Sequence, residues 1–256
     1  MSNIKFDKST IPDLSGRVVL ITGGTNGIGA EIAVELAKKN PARLLFTGRS
    51  AASAEKTLER VRQSAPAALS PDGYEIHFAT NHLAAPPTGA DRRPASARRQ
   101  QPPRIIYTTS LAWMGGSLDF AGGLRTTQES VLFGRWVRYC NSKLANLLYA
   151  REPARRHPKL LCFSAHPGVV TTGLVTDLKL TDRLFVQATN VGKIITPEQG
   201  TFNHLWAVSA PRESIEQGGF YEPVGVLSLE KGVKAKDTKY ASQLWDYTEK
   251  ELEKFM

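Results

Sequence analysis

Tyr139 and Lys143 stand four residues apart in Tyr139-Cys-Asn-Ser-Lys143, and on a helix that spacing puts a phenol and an ammonium on one face. A free phenol titrates near about 10 and is a poor base at neutral pH. A fixed cation close by favours phenolate and lowers that value, so the pair can move a proton to or from an alcohol oxygen. The same spacing also arises by chance on many solvated helices. A second stretch gives it context. Arg17-Val-Val-Leu-Ile-Thr-Gly-Gly-Thr-Asn-Gly-Ile-Gly29 joins a short apolar run to an amphipathic segment through Gly23, Gly24, Gly27 and Gly29. Glycines let the backbone turn sharply and approach a pyrophosphate, whose charge sits at the positive end of the following helix. No Gly-Lys-Ser/Thr follows, which argues against a nucleotide-triphosphate loop, and the order Thr-Gly-x-x-x-Gly-x-Gly differs from Gly-x-Gly-x-x-Gly. The alternative is a plain structural turn.

The elements that must position these groups follow in order. Val18 to Ile21 reads as a strand, and Ile28, Ile32 and Leu36 recur on one face of a helix running to about Lys39. Asn40-Pro41 ends it, because the residue before proline avoids the α region. Leu44 to Thr47 reads as a second, buried parallel strand ending in Gly48-Arg49-Ser50, with a helix over 51–64. An acid at that strand end would bond a ribose 2′-hydroxyl, whereas an arginine suits a 2′-phosphate. Arg49, with no acid before Glu55, favours NADP over NAD; otherwise it is a solvated loop charge. Tyr74 to Thr80 alternates like a strand but could equally start a helix. Residues 83–103 hold prolines and arginines and almost no large apolar side chain, so a loose or disordered loop is expected there.

Order resumes with a strand over 104–110, a long loop containing Trp113 and Met114, and a helix from near Arg138 that carries Tyr139, Lys143, Leu144, Leu147 and Leu148. Leu160 to Ala165 is the next buried strand, leading into His166-Pro167-Gly168. Thr196-Pro-Glu-Gln199 is a capping box with proline at the first helical position, and predicts a helix to about Ser209. Gly218 to Glu222 reads as a short strand. A final helix from about Asp237 places Ala241, Leu244 and Leu252 along one stripe.

A chain of 256 residues with 41% hydrophobic and 22% charged content suits one soluble α/β domain. Two cysteines argue against a disulfide scaffold and for a reducing compartment. No apolar run approaches the roughly 18 residues of a membrane span, so a cytoplasmic protein is expected, with peripheral membrane contact left open. Four units of the net charge of +9 lie between Asn81 and Arg104, where Arg92, Arg93, Arg98, Arg99 and Arg104 face only Asp91. That run lacks aromatic residues to stack on bases, so a solvated loop is expected rather than a nucleic-acid surface. No metal is expected.

Taken together, Thr22-Gly-Gly-Thr-Asn-Gly-Ile-Gly29, Arg104-Ile-Ile-Tyr-Thr-Thr-Ser110, Tyr139-Cys-Asn-Ser-Lys-Leu-Ala-Asn146 and His166-Pro-Gly-Val-Val-Thr-Thr172 resemble the short-chain dehydrogenase/reductase family. The Tyr139 to Asn146 wording is most similar to its retinol-dehydrogenase-like and fungal members, as is Asp72 to Leu83. The resemblance implies a Rossmann-type doubly wound parallel sheet, α/β in class, over one dinucleotide-binding domain of residues 1–256. It implies that Tyr139 exchanges the proton, Ser110 bonds the reacting oxygen, Lys143 tunes Tyr139 and binds the nicotinamide ribose, and Asn81 holds a relay water. Thr22, Gly23, Gly24, Asn26, Gly27, Ile28 and Gly29 would line the pyrophosphate, Arg49 the 2′-phosphate, and Pro167, Gly168, Val169 and Thr172 the nicotinamide end.

The implied activity is NADP(H)-dependent interconversion of an alcohol and a ketone or aldehyde on a small apolar molecule of secondary metabolism. The chain departs from the family between Arg49 and Ser110, where two strand–helix units of about 30 residues each do not fit. One or two strands of the sheet, including the central one beside the first, are therefore expected to be missing, with exposed edges as the result. Pro153 should interrupt the Tyr139 helix. The loop 111–137, with Trp113 and Trp136, and the segment 173–195 are expected to shape the substrate pocket or else to be core. A homodimer through the Tyr139 helix fits the family. The alternative function is a catalytically inactive relative that binds cofactor or a protein partner.

Overall fold

The computed structural model describes residues 4–64, 103–121, 134–170, 194–228 and 237–253. The expectations for 74–80, 83–102 and nearly all of 173–195, and the assignments of Asn81 and Thr172, lie outside the described residues. The described residues divide into two compact units, 7–64 in one and 4–6, 103–121, 134–170, 194–228 and 237–253 in the other.

In the first unit, β1 (Val18–Ile21), α1 (Gly27–Ala37) and β2 (Arg43–Phe46) make a parallel strand–helix–strand, with Val18 beside Arg43 and Ile21 beside Phe46. Ile32 and Leu36 of α1 are buried, as the four-residue recurrence required. Asn40 ends the turn after α1 in the left-handed region at φ 55°, which asparagine tolerates better than most side chains. Its amide donates to Ser15 Oγ at 2.9 Å. The helix α2 (Ala51–Ser64) starts on Ser50, whose hydroxyl accepts from the Ser53 N–H, and Arg60 ties it to α1 through Glu31 at 2.7 Å. Among the described residues of this unit, only one face of the two-stranded sheet is covered. Val19, Ile21, Leu44 and Phe46 are half-buried, whereas Val18, Leu20 and Leu45 are 55%, 61% and 50% exposed. Parallel strands are ordinarily covered on both faces.

The second unit holds β3 (Arg104–Thr108), a 3₁₀ turn over Leu111–Gly115, α3 (Gly134–Tyr149), α4 (Arg151–Arg156), β4 (Leu161–Ala165), β5 (Val169–Val170), β6 (Ile194–Ile195), α5 (Pro197–Ser209), β7 (Phe220–Glu222), β8 (Val226–Leu227) and α6 (Thr238–Leu252). Its main sheet has the order β3-β4-β7-β8, parallel except for the last pair, and β5 and β6 form a separate parallel pair. Every residue of β4 is buried, as expected of a central parallel strand. Alternation then sorts the side chains. Phe220 packs with Trp113, Leu144, Leu147 and the α6 residues Ala241 and Leu244, while Tyr221 packs on the other face with Phe163 and Ala207. Helices therefore cover both faces here, and the α/β class holds.

Two local expectations are corrected, and a third, the interruption by Pro153, is met. The helix bearing Tyr139 starts at Gly134 rather than near Arg138. It stops at Tyr149, because Pro153 has no N–H to offer the Tyr149 carbonyl; Ala150 stays helical in its dihedrals and the chain resumes as α4. The stretch after Ser110 begins as a 3₁₀ turn rather than a loop, and its Trp113 is 5% exposed and part of the core, the second of the two roles expected for it.

Candidate active site

The glycine turn between β1 and α1 is built to let something approach its backbone. Gly23 has φ +71°, and a Cβ there would meet nothing within 4 Å. A Cβ on Gly29 would lie 2.3 Å from the Gly23 carbonyl oxygen, and one on Gly24 would lie 2.5 Å from Phe46 Cβ. The Gly24 N–H bonds the Thr47 carbonyl at 2.9 Å, which fastens the turn to the end of β2. Asn26 caps α1 through its side-chain oxygen, and Thr22 and Asn26 are exposed while Ile28 is half-buried. Arg49 is exposed just past β2. Glycine backbone, a helix N-terminus and a cation at the second strand end fit a dinucleotide's phosphates.

In the other unit, the C-terminal end of β3 and one face of α3 are stitched together. Thr109 is buried, and its hydroxyl donates to the Lys143 carbonyl at 2.7 Å. The Thr108 carbonyl accepts from Asn146 Nδ2 at 2.8 Å and from Lys143 Nζ at 3.3 Å. Ser110, next along the chain, caps the 3₁₀ turn by accepting from the Ala112 N–H at 3.3 Å. Lys143 Nζ lies 5.7 Å from the centre of the Tyr139 ring, and burial lowers its pKa. Trp136 meets Tyr139 edge-on at 6.3 Å. The hydroxyl, phenol and ammonium expected from the sequence thus belong to one unit and to two elements that bond each other.

The turn after β4 belongs to the same unit. Gly168 has φ +94°, and a Cβ there would come within 2.7 Å of Ile195 Cδ1. Val169 pairs with Ile194 beyond Pro167. His166 is buried; its pKa falls to about 4, chiefly from burial, then from the Lys143 charge, with a hydrogen bond to the Thr109 backbone opposing. Asn203 of α5 holds this turn from below: its Nδ2 donates to the His166 and Tyr221 carbonyls at 2.8 and 2.9 Å. Next to it, His204 Nε2 lies 2.9 Å from Thr108 Oγ1. Burial also brings His204 to about 4, helped by the nearby His166 and Lys143 charges.

Thr108, Thr109, Asn146, Asn203 and His204 are the supporting residues that the sequence reading passed over. A signal for two of them was present. Asn203-His204 stands in the middle of a helix otherwise facing core, and buried polar groups of that kind are bonded to something specific.

Known proteins resemble this chain in sequence and in fold. The short chain dehydrogenase family model matches residues 17–72. An uncharacterised oxidoreductase of Schizosaccharomyces pombe, C736.13, is 27% identical over 311 positions that cover 97% of this chain and 88% of the relative. Those 311 positions exceed the 256 residues of the chain, so the relative carries residues that this chain lacks. Human retinol dehydrogenase 12 is 30% identical over 210 positions, covering 63% of this chain and 64% of that protein. The crystal structure of a short-chain type dehydrogenase/reductase from Mycobacterium marinum superimposes with a TM-score of 0.54 at 19% identity, covering 86% of this chain and 98% of that one. The likeness there is one of fold. The chain is thus similar, over most of its length, to oxidoreductases of the short-chain dehydrogenase/reductase family.

Proposed function

We propose that the protein is an NADP(H)-dependent oxidoreductase that interconverts an alcohol and a ketone or aldehyde on a small apolar molecule. The observation that carries this reading is the placement of Lys143 Nζ 5.7 Å from the Tyr139 ring, on a helix bonded to the strand end that presents Ser110. Tyr139 gives or takes the proton at the reacting oxygen, Ser110 hydrogen-bonds that oxygen, and Lys143 binds the nicotinamide ribose beside them. The cofactor, when bound, supplies or accepts the hydride. Thr22 to Gly29 hold its pyrophosphate, Pro167 to Val169 and Thr172 its nicotinamide end, and Asn81 holds a relay water. Arg49 in place of an acid after β2 supports NADP(H). An apolar substrate is supported by the name of the retinol dehydrogenase relative. Two free thiols, Cys140 and Cys162, support a cytoplasmic location, and no described helix is long and apolar enough to cross a membrane. A homodimer belongs to the same reading.

Fluorescence titration with NADPH and NADH is the test. Micromolar NADPH binding and weaker NADH binding are expected. Arg49→Ala should weaken NADPH about tenfold, as expected for loss of one charge-assisted contact, and leave NADH unchanged. Tyr139→Phe should keep NADPH binding and lower carbonyl turnover at least about a hundredfold. A cooperatively folded protein that binds neither cofactor refutes the proposal. A second reading, a non-catalytic relative that binds cofactor or a partner, is favoured by the bare face of Val18, Leu20 and Leu45; NADPH binding with no turnover that depends on Tyr139 would select it.

A further inference from the structure

β3 presents Ser110, yet among the described residues it pairs with one strand only, β4. A strand held from one side must find other partners for its free backbone groups. The side chains of its first and last residues tie it to α5, and the carbonyl of its last residue takes side-chain partners from α3. At its start, Arg104 reaches the C-terminal carbonyls of α5, bonding Ala207, Val208 and Ala210. At its end, Thr108 Oγ1 meets His204 Nε2, one turn earlier on α5. The helix thus grips β3 at both ends, from the face opposite α3. From the α3 side, Lys143 Nζ and Asn146 Nδ2 rest on the Thr108 carbonyl. His204 is 5% exposed and its Nδ1 meets no protein partner. Placing the ring proton on Nε2 gives the buried N–H an acceptor, the Thr108 hydroxyl, and leaves only a lone pair unmatched.

We propose that His204 is a positioning residue for Lys143: by holding the Thr108 hydroxyl from the opposite face of the sheet, its imidazole fixes the carbonyl oxygen on which the Lys143 ammonium rests. The inference rests on the reading of Lys143 as the partner of Tyr139, and its first test needs no turnover.

Trace acetylation of Lys143 is followed by peptide mass spectrometry in the full chain without ligands. Iodoacetamide labelling of Cys162, which is fully buried on β4, reports global opening in the same samples. In His204→Leu and in Thr108→Val, Lys143 should label about fivefold faster, the size expected for one lost neutral hydrogen bond, with Cys162 still protected. His204→Gln, whose amide N–H reaches a similar position, should label like the wild type. If His204→Leu does not fold, Thr108→Val removes the same bond with nearly unchanged shape. Unchanged Lys143 labelling, or a gain matched by Cys162, overturns the proposal. Carbonyl turnover is measured beside it: His204→Leu and Thr108→Val should lower kcat with the carbonyl KM unchanged, and His204→Gln should restore it. A wild type without turnover refutes the oxidoreductase reading, while the labelling still decides the role of His204.

Discussion

Asn203 is fully buried, and its amide joins three backbone segments: Nδ2 donates to the His166 and Tyr221 carbonyls, and Oδ1 accepts from the Gly225 N–H at 2.9 Å. Truncation to alanine leaves the His166 carbonyl and the Gly225 N–H without the amide, while the Tyr221 carbonyl keeps the His166 N–H at 2.9 Å. Asn203→Ala is therefore expected to cost about 2–4 kcal/mol, measured as a shift of the urea midpoint at constant m. A loss below about 1 kcal/mol would mean that water replaces the amide there. Gly29 is constrained differently. A methyl at that position would sit 2.3 Å from the Gly23 carbonyl, so Gly29→Ala must push the turn apart. It should weaken NADPH by more than about tenfold while leaving Cys162 as protected as in the wild type, since that thiol lies in the other unit.

At the level of elements, α5 shows what a sequence can and cannot announce. Its start was legible because the signal is local: Thr196 and Gln199 each bond the other's backbone N–H, at 3.2 and 3.1 Å, and Pro197 occupies a position whose N–H is not needed. The runs that become β1, β3 and β4 were legible for the same reason. The work of Asn203 and His204 was not, because their partners lie far along the chain, on β3, β4 and β7, and only folding brings them within reach. Trp113 likewise reads as a loop aromatic until Leu144, Leu147 and Phe220 close around it.

The two buried histidines set a pH dependence for this same region. His166 and His204 both fall from 6.5 to about 4 on folding. A depressed histidine pKa means that the unfolded chain binds the proton first, so the native state loses relative stability as pH drops from 6.5 towards 4. Each ring contributes no more than roughly 3 kcal/mol across that window. Paired carboxylates act lower down: Glu152, held below its usual 4.5 first by the Arg155 hydrogen bond and then by Arg156, loses its contribution only at more acidic pH. His204→Gln should therefore flatten part of the decline in urea midpoint between pH 6.5 and pH 4 and leave the fall below it. An unchanged slope would show that His204 titrates in the folded protein as it does in the unfolded one.

For the whole molecule, the exposed face of β1 and β2 is a feature that the sequence did not announce. Losing a strand was expected to expose edges, whereas here a face is bare: Val18, Leu20 and Leu45 are at least half exposed while Ile21 and Phe46, on the other face, are half-buried. The relative from Schizosaccharomyces pombe, aligned over more positions than this chain has residues, is longer within the matched span. The energetic consequence can be read by comparing faces. Threonine keeps strand propensity while removing apolar surface. At an exposed position it should change stability by no more than about 0.5 kcal/mol, so Leu20→Thr and Leu45→Thr should be nearly neutral. Ile21→Thr, on the packed face, should cost about 1–2 kcal/mol by the loss of buried methyl groups. The double variant Leu20→Thr/Leu45→Thr should also bind less of an apolar dye such as ANS, since it removes the contiguous exposed patch. Equal costs on the two faces would mean that something covers Leu20 and Leu45 in solution, and the bare face could no longer count in favour of the non-catalytic reading.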